Sequence, residues 1–191
     1  MTRFEIEEAI DAIVAASSEW RCVAEGWIGE PLLAVASEEI IVPGGFPADD
    51  AYRTFLTAAN GLSVRTYDRR QVKPGHHVYV FEVVCADRMV ASTLGFRAYA
   101  DEMLRDGLDC SLSSYPQEVH RRILNESMYL GDSSLPTLLW STGGAESGAY
   151  VVDYEYAGEP NFLKKIASSF DEYLERSLRS VLENEGLPVY Y

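Results

Sequence analysis

The chain is poor in bases, cysteine and histidine, and it has no long apolar run. Sixteen Lys and Arg stand against thirty Asp and Glu, a net charge of −14. That deficit argues against nucleic acid or an anionic membrane as the main partner, because both need clustered positive charge. No stretch comes near the ~18 apolar residues that a membrane span requires. At the start, Met1-Thr2-Arg3-Phe4-Glu5 carries acid where a secretion signal carries base. Cys22, Cys85 and Cys110 are odd in number, far apart and without a CxxC pair, which suits a reduced compartment and three small core residues. The expectation is a soluble cytoplasmic protein, in which Asn125-Glu126-Ser127 matches a glycosylation sequon by chance.

Motifs of chemistry are also scarce. There is no P-loop, GxGxxG, HExxH or paired CxxC. Ser147, in Gly144-Ala145-Glu146-Ser147-Gly148, fails the G-x-S-x-G spacing of a nucleophile elbow and reads as a hairpin loop. His76 and His77 are adjacent, so on a strand they point to opposite faces and would not share an ion. His120 begins an Arg-rich helix or strand and reads as a solvated surface residue. Carboxylates are so abundant that a pair at glycosidase spacing would carry no information. Arg69-Arg70-Gln71-Val72-Lys73, beside the two histidines, is the one basic cluster. It suits phosphate binding less well than a solvated turn. The expectation is no enzyme, no metal and no cofactor.

What is present is material for a core. In 191 residues, 47% are hydrophobic and 12% aromatic, enough for one domain without disulfide or metal staples. Between Phe4 and Ser18, Ile6, Ile10, Ile13 and Val14 recur at helical spacing, with Glu5, Glu7, Glu8 and Asp11 between them. Residues 20–29 read as a turn-rich bridge, and 32–42 as one or two short strands. Ala48 to Ala59 carries a Tyr52, Phe55, Leu56, Ala59 stripe, with Asp49 and Asp50 in its first turn and Asn60-Gly61 as its stop. The period then changes. Leu62 to Thr66 and His77 to Val84 read as strands, the second rich in β-branched and aromatic residues.

Farther on, Phe96 to Arg105 reads as helix and Asp106 to Glu118 as surface loop. Met128 to Leu130, Thr137 to Ser141 and Ala149 to Tyr154 read as an antiparallel meander joined by glycine-rich turns. Phe162, Ile166, Phe170, Tyr173, Leu174, Leu178, Val181 and Leu182 form a long helical stripe. Asn161 is its expected N-cap and Gly186 its stop. The sum is α+β: a mostly antiparallel central sheet, with N-terminal helices and a long C-terminal helix packed on it.

The acids are unevenly placed. Residues 1–60 carry 11 acids and 3 bases, 61–100 carry 3 and 6, and 101–191 carry 16 and 7. On the expected meander, Asp132, Glu146, Asp153, Glu155 and Glu159 interleave with Tyr150, Tyr154 and Tyr156. Aromatics supply contact area and carboxylates supply steering, so these eight residues are the candidate partner-binding set. The plain alternative is sheet tyrosines covered by the last helix.

Three segments in order carry a resemblance. The first runs from Pro47-Ala48-Asp49-Asp50-Ala51-Tyr52-Arg53-Thr54-Phe55-Leu56 to Asn60-Gly61. The second is the glycine-flanked pair Met128 to Asp132 and Ala149 to Asp153. The third is Ile166-Ala167-Ser168-Ser169-Phe170-Asp171-Glu172-Tyr173-Leu174. Together they resemble the SUKH superfamily, which includes a yeast cell-wall assembly regulator and many bacterial immunity proteins. The resemblance covers about 100 residues and leaves 62–127 unplaced, open to being an insertion within a single domain of residues 1–191. It implies an α+β protein-binding scaffold without cofactor. Its leading implication is an immunity-type protein that caps a toxin such as a basic nuclease. A scaffold or regulator for a resident cellular protein is the alternative, and a small enzyme with an unseen motif a distant third.

Overall fold

The computed structural model describes residues 1–32, 49–70, 77–105, 115–141, 144–153 and 162–187. Its fold is α+β, with the strands in two antiparallel sheets rather than one central sheet.

Helix α1 (Arg3–Ala16) opens on a capping box in which Thr2 and Glu5 satisfy each other's backbone N–H. Its buried residues Ile6, Ile10 and Ile13 are the expected stripe. Strand β1 (Cys22–Ile28) follows, where the sequence suggests a bridge of turns. Small inward residues hide the strand from a propensity reading. A Cβ on Gly26 would stand 2.4 Å from Ile10 Cγ2, so glycine here lets α1 lie close on β1.

Helix α2 (Asp50–Ala58) forms as expected, with Asp49, expected in its first turn, serving as its N-cap, and β2 (Leu62–Asp68) and β3 (His77–Val83) have the expected strand character. The first sheet has the order β1-β2-β3. Residues 62–83 therefore supply two of its three strands. Beyond them, α3 (Ala86–Arg105) starts ten residues earlier than the sequence suggests, its first N–H bonded to Asn60 Oδ1 at 2.8 Å. The loop expected over Asp106 to Glu118 gives way at Gln117 to α4 (Gln117–Glu126), while residues 106–114 lie outside the described residues.

The second sheet is the expected meander with one more strand: β4 (Met128–Asp132), β5 (Pro136–Trp140), β6 (Gly148–Val152) and β7 (Leu163–Ala167), paired in that order. Strand β7 occupies the first third of the expected long helix. Ser169, not Asn161, caps the helix proper, α5 (Phe170–Glu183). Pairing with β6 satisfies the backbone of Leu163–Ala167, which outweighs the apolar periodicity there. At the other end Gly186 stops α5 as expected, with φ +73° and its N–H on Val181 O at 2.9 Å.

The two sheets meet where β3 passes β4, through a Phe81–Ser133 bridge and the 2.7 Å bond from Val84 N–H to Leu130 O. Strands β5 and β6 are buried on both faces. Leu139, Ala149 and Val151 join the main core with Phe170 and Tyr173 of α5, while Leu138, Trp140, Tyr150 and Val152 join a second cluster with Phe96, Ile123 and Phe162. This alternation is the two-residue period of a strand divided between two cores. None of the helices among the described residues is long and apolar enough to cross a membrane.

Candidate protein-interaction surface

Because β5 and β6 are buried on both sides, the meander cannot present the face the sequence suggests. Tyr150 is 0% exposed, its hydroxyl held by the Glu146 carbonyl and its ring against Tyr115. Burial pushes that phenol well above its ordinary range. It is a core residue and not a contact for a partner. Asp132 is half-buried and accepts from Tyr129 Oη at 2.9 Å, and Asp153 is half-buried at the end of β6, its N–H on Phe162 O at 2.9 Å. Glu146 is exposed on the β5–β6 turn. Tyr154, Glu155, Tyr156 and Glu159 lie outside the described residues.

His120 corrects the sequence reading too. It is 0% exposed, packed 5.3 Å from the Phe162 ring, and neither ring nitrogen has a hydrogen-bond partner among the described residues. Burial in this apolar cluster pulls its pKa down to about 4, so at neutral pH it is an uncharged core residue. Of the basic cluster, Arg69 donates to the carbonyls of Ser17 at 2.9 Å and Ser18 at 2.8 Å, capping the end of α1. Arg70 donates its N–H to Asp68 Oδ1 at 2.8 Å; that bond, and then Arg21, hold the Asp68 carboxyl below its usual range.

Among the described residues, the outer face of the first sheet is open. Alternation sends Ala24, Leu62, Val64, Tyr79, Phe81 and Val83 into the main core, so their neighbours face out. The register arranges them in three rows across β1, β2 and β3: Trp27–Ser63–Glu82, then Glu25–Arg65–Val80, then Val23–Tyr67–His77. Trp27 is 53% exposed and Val23 41%. The Trp27 ring is seated on glycine: a Cβ on Gly29 would lie 3.0 Å from its Cη2, and one on Gly61 3.1 Å from its Cζ3. Ser63 is the smallest residue of its row, and its shortness opens a concavity of about 320 Å³ lined by Glu25, Trp27, Ser63, Arg65, Glu82 and Arg88.

Charges on this face are loosely held. Tyr67 Oη lies between Arg65 and Glu25, 3.2 Å from Glu25 Oε2. Partial burial and then that bond push the phenol up. Arg88 reaches Glu82 from α3 with a 3.6 Å separation, longer than a hydrogen bond. Ser63 Oγ is buried and has no hydrogen-bond partner among the described residues. Sequence reasoning missed the surface because it read residues 20–29 as turns. The Val23, Glu25, Trp27 alternation was the available signal.

Acidity gathers elsewhere, on the two terminal helices. Residues 1–19 carry five acids and one base, and residues 170–187 carry five and two, which together make half of the net charge. Helices α1 and α5 pack side by side, with Glu8, Asp11, Glu19 and Glu183 exposed. Among the described residues no group of His, Cys, Asp and Glu has a geometry that would hold a metal ion. No family model matches the chain, and no curated protein matches it in sequence.

Proposed function

We propose that this chain is a non-catalytic protein-binding domain of the immunity type, which holds a toxin through the outer face of its three-stranded sheet. The observation that carries the reading is Trp27, a large aromatic more than half exposed yet fixed on two glycines. Half-exposed aromatics set among charged groups are the usual anchors of protein interfaces, since a rigid ring gives contact area with little entropy to lose. The SUKH resemblance supplies the toxin as the partner class. The excess of acid favours a basic toxin, whose approach the field would steer.

Whether the adjacent gene encodes a toxin is the first test, and complex formation with that toxin, measured by calorimetry with the intact chain and its Trp27→Glu variant, is the second. The expected result is a one-to-one complex that Trp27→Glu weakens by at least about a hundredfold, the loss typical of an interface anchor. A complex indifferent to Trp27→Glu removes the sheet face from the account. A resident cellular protein bound in place of the toxin removes the immunity role.

A further inference from the structure

We infer that the concavity between Trp27 and Glu82 is a slot for a basic side chain, arginine or lysine, of a partner protein. The inference rests on the protein-binding reading and specifies what that surface takes. Trp27 and Glu82 stand in one row, separated by Ser63. Two interstrand spacings set their Cα atoms about 10 Å apart, so an inserted planar group meets an aromatic wall on one side and a carboxylate on the other. An aromatic face attracts cations through its quadrupole, and a carboxylate completes the match.

Arg88 shows which chemistry Glu82 accepts. Its side chain is 65% exposed, and its guanidinium rests 3.6 Å from the carboxylate, too far for a hydrogen bond. Glu82 itself is only 20% exposed, but the 3.6 Å separation leaves its carboxylate without a hydrogen bond from Arg88, so an entering cation that makes one competes well for it. At the floor, Ser63 Oγ is buried and has no hydrogen-bond partner among the described residues. Glu25 adds a second carboxylate from the next row. Arg65 and Arg88 also line the slot, but Arg65 faces Tyr67 and Arg88 faces Glu82, and the net charge of −14 disfavours an incoming anion.

The test uses small probes, so it needs no partner. Acetyl-Gly-Arg-Gly-amide and acetyl-Gly-Glu-Gly-amide are titrated separately into the 15N-labelled full chain. The indole N–H resonance of Trp27, assigned with Trp27→Phe, is followed by NMR. The arginine peptide is expected to move that resonance along a saturable curve, and the glutamate peptide is expected to leave it in place. Glu82→Gln should weaken the arginine curve. Arg88→Ala should strengthen it about two- to fivefold, because it removes the weakly paired internal competitor. A curve for the glutamate peptide, lost in Arg88→Ala, would overturn the inference in favour of an anion site. A Trp27 resonance unmoved by either peptide would overturn it as well. The protein-binding reading would survive both results if Trp27→Glu still broke the toxin complex.

Discussion

Asp49 and Phe170, 121 residues apart, are joined by a 2.9 Å bond from the Phe170 N–H to Asp49 Oδ2. The other carboxylate oxygen of Asp49 accepts the Tyr52 N–H at 2.7 Å, so one side chain satisfies the starts of both α2 and α5. Asp49→Ala deletes two charge-assisted bonds and should cost about 2 kcal/mol, more than a single helix cap. Urea denaturation of the variant measures this. A loss under about half a kcal/mol would mean that water replaces the carboxylate at no cost.

Below that bond, Phe170 meets Tyr52 and Phe55 edge-on, each at 5.1 Å between ring centres. Phe170→Ala should cost about 3–5 kcal/mol, the range for truncating a buried aromatic. Thermal and urea melts check it, and a melting temperature kept within a degree or two would contradict the packing described.

His120 makes the fold sensitive to acid. Its pKa is about 4 in the fold against 6.5 in the unfolded chain. Between those values the unfolded state binds more protons, so His120 leaves stability intact above pH 6.5 and erodes it as the pH falls towards 4. His120→Leu removes this loss. Compared with the parent, the variant should gain about 2 to 3 kcal/mol between pH 7.5 and pH 4.5. Paired urea melts at the two pH values give the number, and an unchanged difference would mean that the imidazole is not held neutral.

With half of the net charge on residues 1–19 and 170–187, steering should come from the two terminal helices and the turns that follow them more than from the meander. Neutralising Glu8, Asp11, Glu19 and Glu183 together should slow association with a basic toxin roughly tenfold at low ionic strength, with little change in dissociation. Stopped-flow mixing reads both rates, and an unaltered association rate would make the acidity a matter of solubility.

How much of this was legible depended on whether local signals agreed with tertiary ones. Helix α2 was readable because its cap Asp49, its stripe Tyr52-Phe55-Leu56 and its stop Asn60-Gly61 all point the same way. Strand β7 was not, because Phe162, Ile166 and Phe170 keep a four-residue spacing across the strand-to-helix join. The mark of the join is Ser168-Ser169, where Ser169 Oγ accepts the Glu172 N–H at 3.2 Å and Glu172 accepts the Ser168 N–H at 2.8 Å. His120 was misread from its charged neighbours, although its spacing to Ile123 and Leu124 already placed it on the buried stripe of α4. The candidate site suffered most. Tyr150 looked like interface because strand alternation promises one open face, and only the covering of the second sheet on both sides denies it. Trp27 was passed over because the small residues Ala24 and Gly26, which α1 requires on the inner face, look like a turn.

On the proposed reading, the outer face of β1, β2 and β3 binds a basic protein, and Trp27 holds the docked complex. Where the adjacent gene encodes a toxin, the most direct measurement is the dissociation rate of that toxin from the intact chain and from Trp27→Ala, with association followed across ionic strength. The expected result is a dissociation at least about tenfold faster in Trp27→Ala, with an association rate that falls steeply with salt in both proteins. A dissociation rate unchanged by Trp27→Ala, together with association indifferent to salt, would contradict the account.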